Sequence, residues 1–301
     1  MNMEYPSDHK SGYVAILGKP NVGKSSLVNS LLGQKIAAVT SKAQTTRRRQ
    51  LGILSDAGYQ IIFTDTPGIH DSRNKLGNLM NQDAHKALPD ADIALLILDS
   101  SRSLDDEDLQ LIDWVKDQKL SIPLWVVYNK LDVADLLGLE RIKKRVFEKL
   151  ADIDYFDVSA LTGQGLDELK SRLVLALPKG PPFFDPDQVT DLYERQIAAD
   201  LIREAALNAL RDEVPHGLAV RIDEYIERGE TGARIDATLF VERESHKGIV
   251  VGESGSKIKE IGTAARIEIE RMSGRKIFIK LRVKLRKNWR NDEAVLQRFG
   301  Y

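Results

Sequence analysis

Two periodicities alternate through the first 177 residues. Tyr13–Leu17, Tyr59–Thr64, Ile93–Asp99, Leu124–Tyr128 and Phe156–Val158 are short apolar runs of strand length. Leu27–Leu32, Asp106–Lys116 and Leu136–Leu150 instead space their apolar residues at helical intervals. Strands alternating with helices predict an α/β fold, a mostly parallel sheet with helices on both faces. In such sheets a ligand sits at the carboxyl ends of the strands.

Both periodicities stop after Leu177. PKGPPFFDPDQ carries four prolines and one glycine in eleven residues, which predicts a linker. The expected organisation is a first domain over 1–177, a linker over 178–190 and a smaller α+β domain over 191–301. In the last of these, Leu192–Arg211 has helical spacing, and LAVRIDEYI and ARIDATLFVE read as strands separated by the turn-like ERGETG. Helices follow on either side of GESG, Gly252–Gly255. KIFIKLRVKL then alternates basic with apolar residues, predicting a strand with one cationic and one apolar face.

Composition narrows the classes. With 301 residues, 42% of them hydrophobic, the chain can bury two cores. No run reaches the ~18 apolar residues of a membrane helix, and MNMEYPSDHK has no apolar signal core, so the expected location is the cytoplasm. The absence of cysteine excludes disulfides, thiolate catalysis and cysteine-based zinc sites. His70, His85, His216 and His246 are too scattered for a metal site and read as ordinary surface or loop residues. The net charge of −1 hides a strong asymmetry. Arg271–Arg290 holds nine Lys or Arg and no carboxylate, whereas Asp99–Asp117 is acidic.

Candidate chemistry lies just after the predicted strands. GKPNVGKS, Gly18–Ser25, fits a phosphate-binding loop in which successive backbone N–H groups and a helix N-terminus enclose an anion. Lys24 would reach the terminal phosphates and Ser25 would meet Mg²⁺, while Gly18 and Gly23 permit the turns; a plain glycine turn between strand and helix is the alternative. DTPG, Asp65–Gly68, supplies a carboxylate for Mg²⁺ through water and a glycine N–H for a terminal phosphate. NKLD, Asn129–Asp132, supplies a carboxylate, Asp132, that can accept from the ring N–H and the amino group of guanine. Adenine lacks that pair of donors and would be rejected by about 10⁴-fold. Asn129 would brace the loops and the stem of Lys130 would lie over the base. In VSALTG, the N–H of Ala160, after Ser159, would meet the guanine carbonyl oxygen. The nucleotide set is therefore Gly18, Lys19, Pro20, Asn21, Val22, Gly23, Lys24, Ser25, Ser26, Asp65, Thr66, Pro67, Gly68, Asn129, Lys130, Asp132, Ser159, Ala160 and Leu161.

In this order and spacing GKPNVGKS, DTPG, NKLD and SAL resemble a translation-factor-class GTPase. The resemblance implies GTP and GDP as ligands, with Mg²⁺. It also implies a switch loop at Ser41–Arg49 whose threonine completes the Mg²⁺ shell. Thr45 and Thr46 both qualify and Thr46, beside Arg47, is preferred, so the metal set is Ser25, Thr46 and Asp65. Arg47, Arg48 and Arg49 are either a solvated basic loop or a contact for RNA phosphates. Many signalling GTPases place a glutamine after the glycine of the second motif to orient the attacking water; this chain has Ile69, which predicts slow unaided hydrolysis. Related loops reading PNVGKS can hold a K⁺ on the asparagine that matches Asn21, and here Asn21 either does so or only caps the loop. Lys24, Thr46, Gly68 and Asn21 are the expected catalytic group.

The carboxyl-terminal order resembles a KH domain whose extra elements come first, carried by Ile249–Gly262. Such domains clamp about four single-stranded nucleotides at the GxxG loop, here Gly252, Glu253, Ser254 and Gly255. Glu253 is unfavourable beside a phosphate, so attraction would come from Lys247, Lys257, Lys259 and the strand residues Lys276, Lys280, Arg282 and Lys284. Taken together, residues 11–299 are similar to the Era family of ribosome-assembly GTPases. That similarity implies the 3′ end of small-subunit ribosomal RNA and the small ribosomal subunit as partners, a monomer, a role in subunit maturation and peripheral contact with the inner face of the cell membrane. GTP would order 41–49 and 66–80 and change how the clamp is presented. Two rival readings are an ATP-dependent enzyme acting on RNA and an RNA binder that senses nucleotide with negligible hydrolysis.

Overall fold

The computed structural model describes residues 5–40, 42, 45–69, 75–151, 153–211, 214–229 and 231–301. Ser41, His70 and the side chains of His85 and His216 lie outside what is described. Two compact units emerge: Met1–Gln34 with Thr46–Asp71 and Met80–Asp191, and Lys35–Thr45 with Ser72–Leu79 and Leu192–Tyr301.

The first unit runs β1 (Lys10–Leu17), α1 (Lys24–Leu32), β2 (Gln50–Asp56), β3 (Tyr59–Asp65), α2 (Lys75–Lys86, its first turns counted with the second unit), β4 (Ile93–Asp99), α3 (Asp106–Asp117), β5 (Leu124–Asn129), α4 (Leu136–Lys149), β6 (Tyr155–Asp157) and α5 (Leu166–Ala176). Its sheet has the order β2-β3-β1-β4-β5-β6, with β2 antiparallel to β3 and the other pairs parallel. All seven residues of β4 are buried, as a central parallel strand covered on both faces requires. Ile112 and Val115 of α3 and Leu139, Ile142 and Val146 of α4 pack on Leu96, Leu98 and Val126 of the sheet.

The predicted strands are present within a few residues of their expected ends, but β2 was missed. Gly52 interrupts its apolar run and the arginines before it read as loop. Its partner makes it a strand: β2 turns at Ala57–Gly58 and pairs in register with β3, Gln50 opposite Asp65 and Asp56 opposite Tyr59.

Residues 178–190, expected from the sequence to be a linker, form no helix or strand and run along the first unit. The buried side chain of Gln60 accepts from Phe183 N at 2.8 Å and from Phe184 N at 3.0 Å, while Ile53 N donates to Val189 O at 2.9 Å. Phe184 packs on Leu51, Ile53 and Ile62. Prolines suit such a path, because a strap that makes few ladder bonds loses little by lacking N–H donors.

The second unit runs α6 (Glu194–Ala209), β7 (Ala219–Arg228), β8 (Gly232–Val241), α7 (Glu244–Val251), α8 (Ser256–Ser273), β9 (Lys276–Leu285) and α9 (Glu293–Arg298). β7 and β8 are antiparallel, with a bulge between Ile222 and Glu224, and β8 and β9 are parallel. A parallel pair needs a long crossover, which α7 and α8 supply. Ile197, Leu201 and Ile202 of α6 and Ile261, Ala265 and Ile269 of α8 bury their faces on this sheet. Inside this unit Lys35 Nζ donates to Glu204 at 2.7 Å and to Glu268 at 2.9 Å.

The closing helix α9 was also not anticipated. It is held by Trp289, fully buried, whose Nε1 donates to Gly217 O at 3.0 Å and whose ring meets Phe299 and Tyr301. Trp289→Ala is expected to destabilise this unit by about 3–5 kcal/mol through the cavity and the lost bond. Chemical denaturation followed by tyrosine or far-UV signals measures it; a loss below about 1 kcal/mol contradicts the assignment.

Candidate functional site

The turn from β1 into α1 forms a concave loop at the carboxyl end of a central strand. Asn21 and Gly23 adopt left-handed backbone, with φ of 66° and 96°. Gly23 has a second constraint, since a Cβ there would stand 2.2 Å from Asn129 Nδ2. Lys24 Nζ donates to Gly18 O at 3.0 Å and Lys19 O at 2.9 Å. Burial pushes its ammonium down to about 8, against the pull of Asp65. Lys19 is different: its ammonium is bound by Asp105 at 2.6 Å and Glu107 at 2.9 Å. What Lys19 offers the loop is therefore its backbone.

Three expected metal ligands converge from three segments. Ser25 Oγ donates to Asp65 Oδ2 at 2.7 Å and stands 2.7 Å from Thr46 Oγ1. Thr45 turns elsewhere, donating to Lys42 O at 2.8 Å and meeting Thr40 Oγ1 at 2.9 Å. Asp65 is fully buried, and its Oδ1 has no hydrogen-bond partner among the described residues. Burial raises its carboxyl above the usual range, opposed by Ser25, Lys24 and Gln50. A buried carboxylate with an unused oxygen beside two hydroxyls is a hard oxygen donor set, so these residues fit Mg²⁺. Elsewhere, no cluster of three His, Cys or carboxylate side chains suited to a metal occurs among the described residues.

The chain after β3 lies against the same loop. Thr66 Oγ1 donates to Ile16 O at 2.7 Å and Ile69 N to Gly18 O at 3.2 Å. A Cβ at Gly68 would come within 2.4 Å of Pro20 N, so only glycine allows the two backbones this approach. Ile69 is partly buried against the core.

On the other side of the loop, Asn129 closes the end of β5. Its Nδ2 donates to Val22 O at 2.9 Å, and its Oδ1 accepts from Ala160 N at 3.0 Å. One amide thus joins the phosphate loop to the loop after β6. The second bond engages the Ala160 N–H, the group expected from the sequence to meet a guanine carbonyl. Lys130, left-handed with φ of 68°, donates to Asp99 Oδ2 at 2.6 Å. Asp132 is exposed and accepts from the buried Ser159 hydroxyl at 2.5 Å. Leu161 is exposed.

In the second unit Gly252, Ser254 and Gly255 have φ of 73°, 49° and 79°, a tight turn between α7 and α8. A cavity of about 370 Å³ lies beside α8 and β9, lined by Ile258, Lys259, Gly262, Arg266, Phe278 and Leu281 among others. Lys276, Lys280, Arg282 and Lys284 are exposed on alternate positions of β9. Among the described residues three predicted cations are partly neutralised, Lys257 by Glu260 at 2.7 Å, Lys247 by Glu244 at 3.5 Å and Arg282 by Asp236 at 3.7 Å. Lys259 lines the cavity.

Comparison with known proteins agrees with both units. A family model described as 50S ribosome-binding GTPase matches residues 13–130, and a KH domain model matches 213–290. The GTPase Era of Geobacter metallireducens is 40% identical over 300 residues, covering 97% of this chain and 98% of that protein. That of Carboxydothermus hydrogenoformans is 39% identical, with the same shares covered. This chain belongs to the Era family.

It is accordingly a GTPase followed by a KH domain, which removes the readings as an ATP-dependent enzyme and as a binder without turnover. A crystal structure of an Era variant from Aquifex aeolicus bound to GDP·AlF₄⁻ has a TM-score of 0.91 at 37% identity, covering 97% of this chain and 99% of that one. A structure of Era in complex with MgGDPNP and nucleotides 1506–1542 of 16S ribosomal RNA gives 0.91 at 38%, with the same coverage. Arg266 and Phe278, which line the cavity beside α8 and β9, are not among the residues singled out from the sequence. Phe278 was legible: it breaks the basic register of KIFIKLRVKL, and it is 63% exposed on the cationic face.

Proposed function

We propose that this protein is a GTP-driven switch that binds single-stranded small-subunit ribosomal RNA near its 3′ end and assists maturation of the small subunit. The observation that carries the reading is the pairing, in one chain, of the Ser25–Thr46–Asp65 oxygen cluster with a KH face bearing Lys276, Phe278, Lys280, Arg282 and Lys284. The solved Era bound to MgGDPNP and 16S nucleotides supports it at a TM-score of 0.91.

On this reading the loop N–H groups from Asn21 to Ser26 and the Lys24 ammonium hold the phosphates. Ser25, Thr46 and Asp65 hold Mg²⁺, which neutralises charge between the outer phosphates. The Gly68 N–H points its dipole at the terminal phosphate, Asp132 accepts from guanine, Asn129 braces and the stem of Lys130 covers the base. Thr46 senses the terminal phosphate, and GTP thereby orders 41–49 and 66–80 and changes how the RNA clamp is presented. The Ile69 side chain supplies no hydrogen bond to an attacking water, so unaided hydrolysis is slow, and Asn21 would hold a K⁺ that would supply positive charge. The protein acts as a monomer in the cytoplasm with peripheral contact to the membrane; no helix among the described residues is long and apolar enough to cross one.

Single-turnover hydrolysis in K⁺ and Na⁺ buffers, with and without a short single-stranded RNA, tests the switch. Faster turnover in K⁺ and with RNA is expected; equal rates in all four conditions would sink the coupling. Phe278→Ala should weaken RNA binding by about tenfold, the worth of one stacked base. Lys280→Ala should lower the salt slope of binding by about one. Unchanged affinity in both variants would remove β9 from the interface.

A further inference from the structure

The two loops that hold the nucleotide are joined on their outer side by a chain of ion pairs that no sequence motif describes. Lys130 Nζ lies 2.6 Å from Asp99 Oδ2. Arg102 Nε lies 3.9 Å from the same oxygen, and its two terminal nitrogens grip Asp108 at 2.7 and 3.1 Å. Arg102 also donates to Asp105 at 3.1 Å, and Asp105 binds Lys19 of the phosphate loop at 2.6 Å. Charges alternate from one loop to the other.

The arrangement is built rather than incidental. The Asp99 side chain is 8% exposed and that of Lys19 is 9%. The other Asp99 oxygen accepts from Ser101 N at 3.0 Å and Ser101 Oγ at 2.5 Å, which fixes the carboxylate's orientation. Burial alone would raise the Asp99 carboxyl, and Lys130 and Ser101 hold it below the usual range instead. Asp105 and Asp108 are themselves fixed as the reciprocal cap of α3. A flexible lysine loses rotamer entropy when it is fixed, and a lysine whose stem must lie flat over a base binds better when that freedom is already lost.

We propose that Asp99 is a positioning residue for guanine-nucleotide binding: it holds Lys130 in its base-covering conformation, and Arg102 and Asp105 tie that hold to Lys19 of the phosphate loop. The proposal rests on the reading of the nucleotide site given above. It predicts that Asp99 acts only through Lys130.

The test is a double-mutant cycle on the full chain, with GDP affinity and release rate measured by a fluorescent GDP analogue. Asp99→Asn keeps the oxygen that accepts from Ser101 and removes the charge facing Lys130. Asp99→Asn and Lys130→Met are each expected to raise Kd for GDP by about tenfold, mainly through faster release, and the double variant should match Lys130→Met alone. Arg102→Met, which cuts the chain at a partly exposed residue, should raise Kd about threefold. The melting temperature of each nucleotide-free variant is measured in parallel. If the two substitutions multiply, or Asp99→Asn stays within twofold of wild type while Lys130→Met does not, the positioning role is overturned and the site reading stands. If Lys130→Met itself leaves GDP affinity unchanged, both fall together.

Discussion

Asp132→Asn lowers affinity for GTP by about 10³- to 10⁴-fold and reverses the preference of the site toward xanthosine triphosphate. Guanine presents two donors side by side, and the Asp132 carboxylate has two acceptors. An asparagine presents one acceptor and one donor. Its NH₂ group would face the guanine amino group, leaving two buried donors without partners, and that loss is worth several kcal/mol. Xanthine carries a carbonyl where guanine has the amino group, so the same amide finds a complementary partner. Ser159, which donates to Asp132 Oδ1, can donate equally to the amide oxygen, so the loop keeps its geometry. Competition titrations with GTP, ATP and XTP measure the outcome. GTP and XTP affinities both within tenfold of wild type would show that Asp132 does not read the base.

Lys24→Ala should cost about 10³-fold in GTP affinity, because it removes a buried, hydrogen-bonded charge facing a polyanion. The wild type carries a signature that this variant lacks. Burial holds the Lys24 ammonium at about 8 in the nucleotide-free protein, whereas bound phosphates favour the charged form. Binding therefore takes up a proton above pH 8, and Kd should rise by up to tenfold per pH unit between 8 and 10. Stability runs the other way. The folded value lies below the unfolded 10.5, so between 8 and 10.5 the unfolded chain binds more protons than the folded one. The burial cost of Lys24 is thus fully present below pH 8 and is relieved as pH rises. Nucleotide-free wild type should gain stability relative to Lys24→Ala across that window. Parallel pH profiles of Kd for the two proteins would remove Lys24 from the phosphate site.

Local signals carried much of this structure. Apolar runs at strand length located β1, β3, β4 and β5, because inner strands are buried on both faces and leave a continuous trace in the chain. β2 left no such trace, since Gly52 divides it and its identity comes from pairing with β3. The segment 178–190 has linker composition, yet several of its backbone groups are satisfied by Gln60, Ile53 and other residues far away in sequence.

By itself, the sequence determined the residue types and order of the site: a glycine loop before a lysine and serine, a carboxylate at the end of β3, an asparagine at the end of β5 with a carboxylate just beyond it, and a cationic strand late in the chain. Those properties are local, since the chemistry of a side chain and the reach of a turn depend on near neighbours. Only the tertiary structure decided which groups are available. It chose Thr46 over Thr45 beside Ser25, bonded the Ala160 N–H to Asn129, turned the Lys19 ammonium to Asp105, and left one oxygen of buried Asp65 without a hydrogen-bond partner among the described residues. Hydrogen bonds form between whichever donors and acceptors the packing brings within about 3 Å, and that proximity is set by strands and loops separated by tens of residues in the chain.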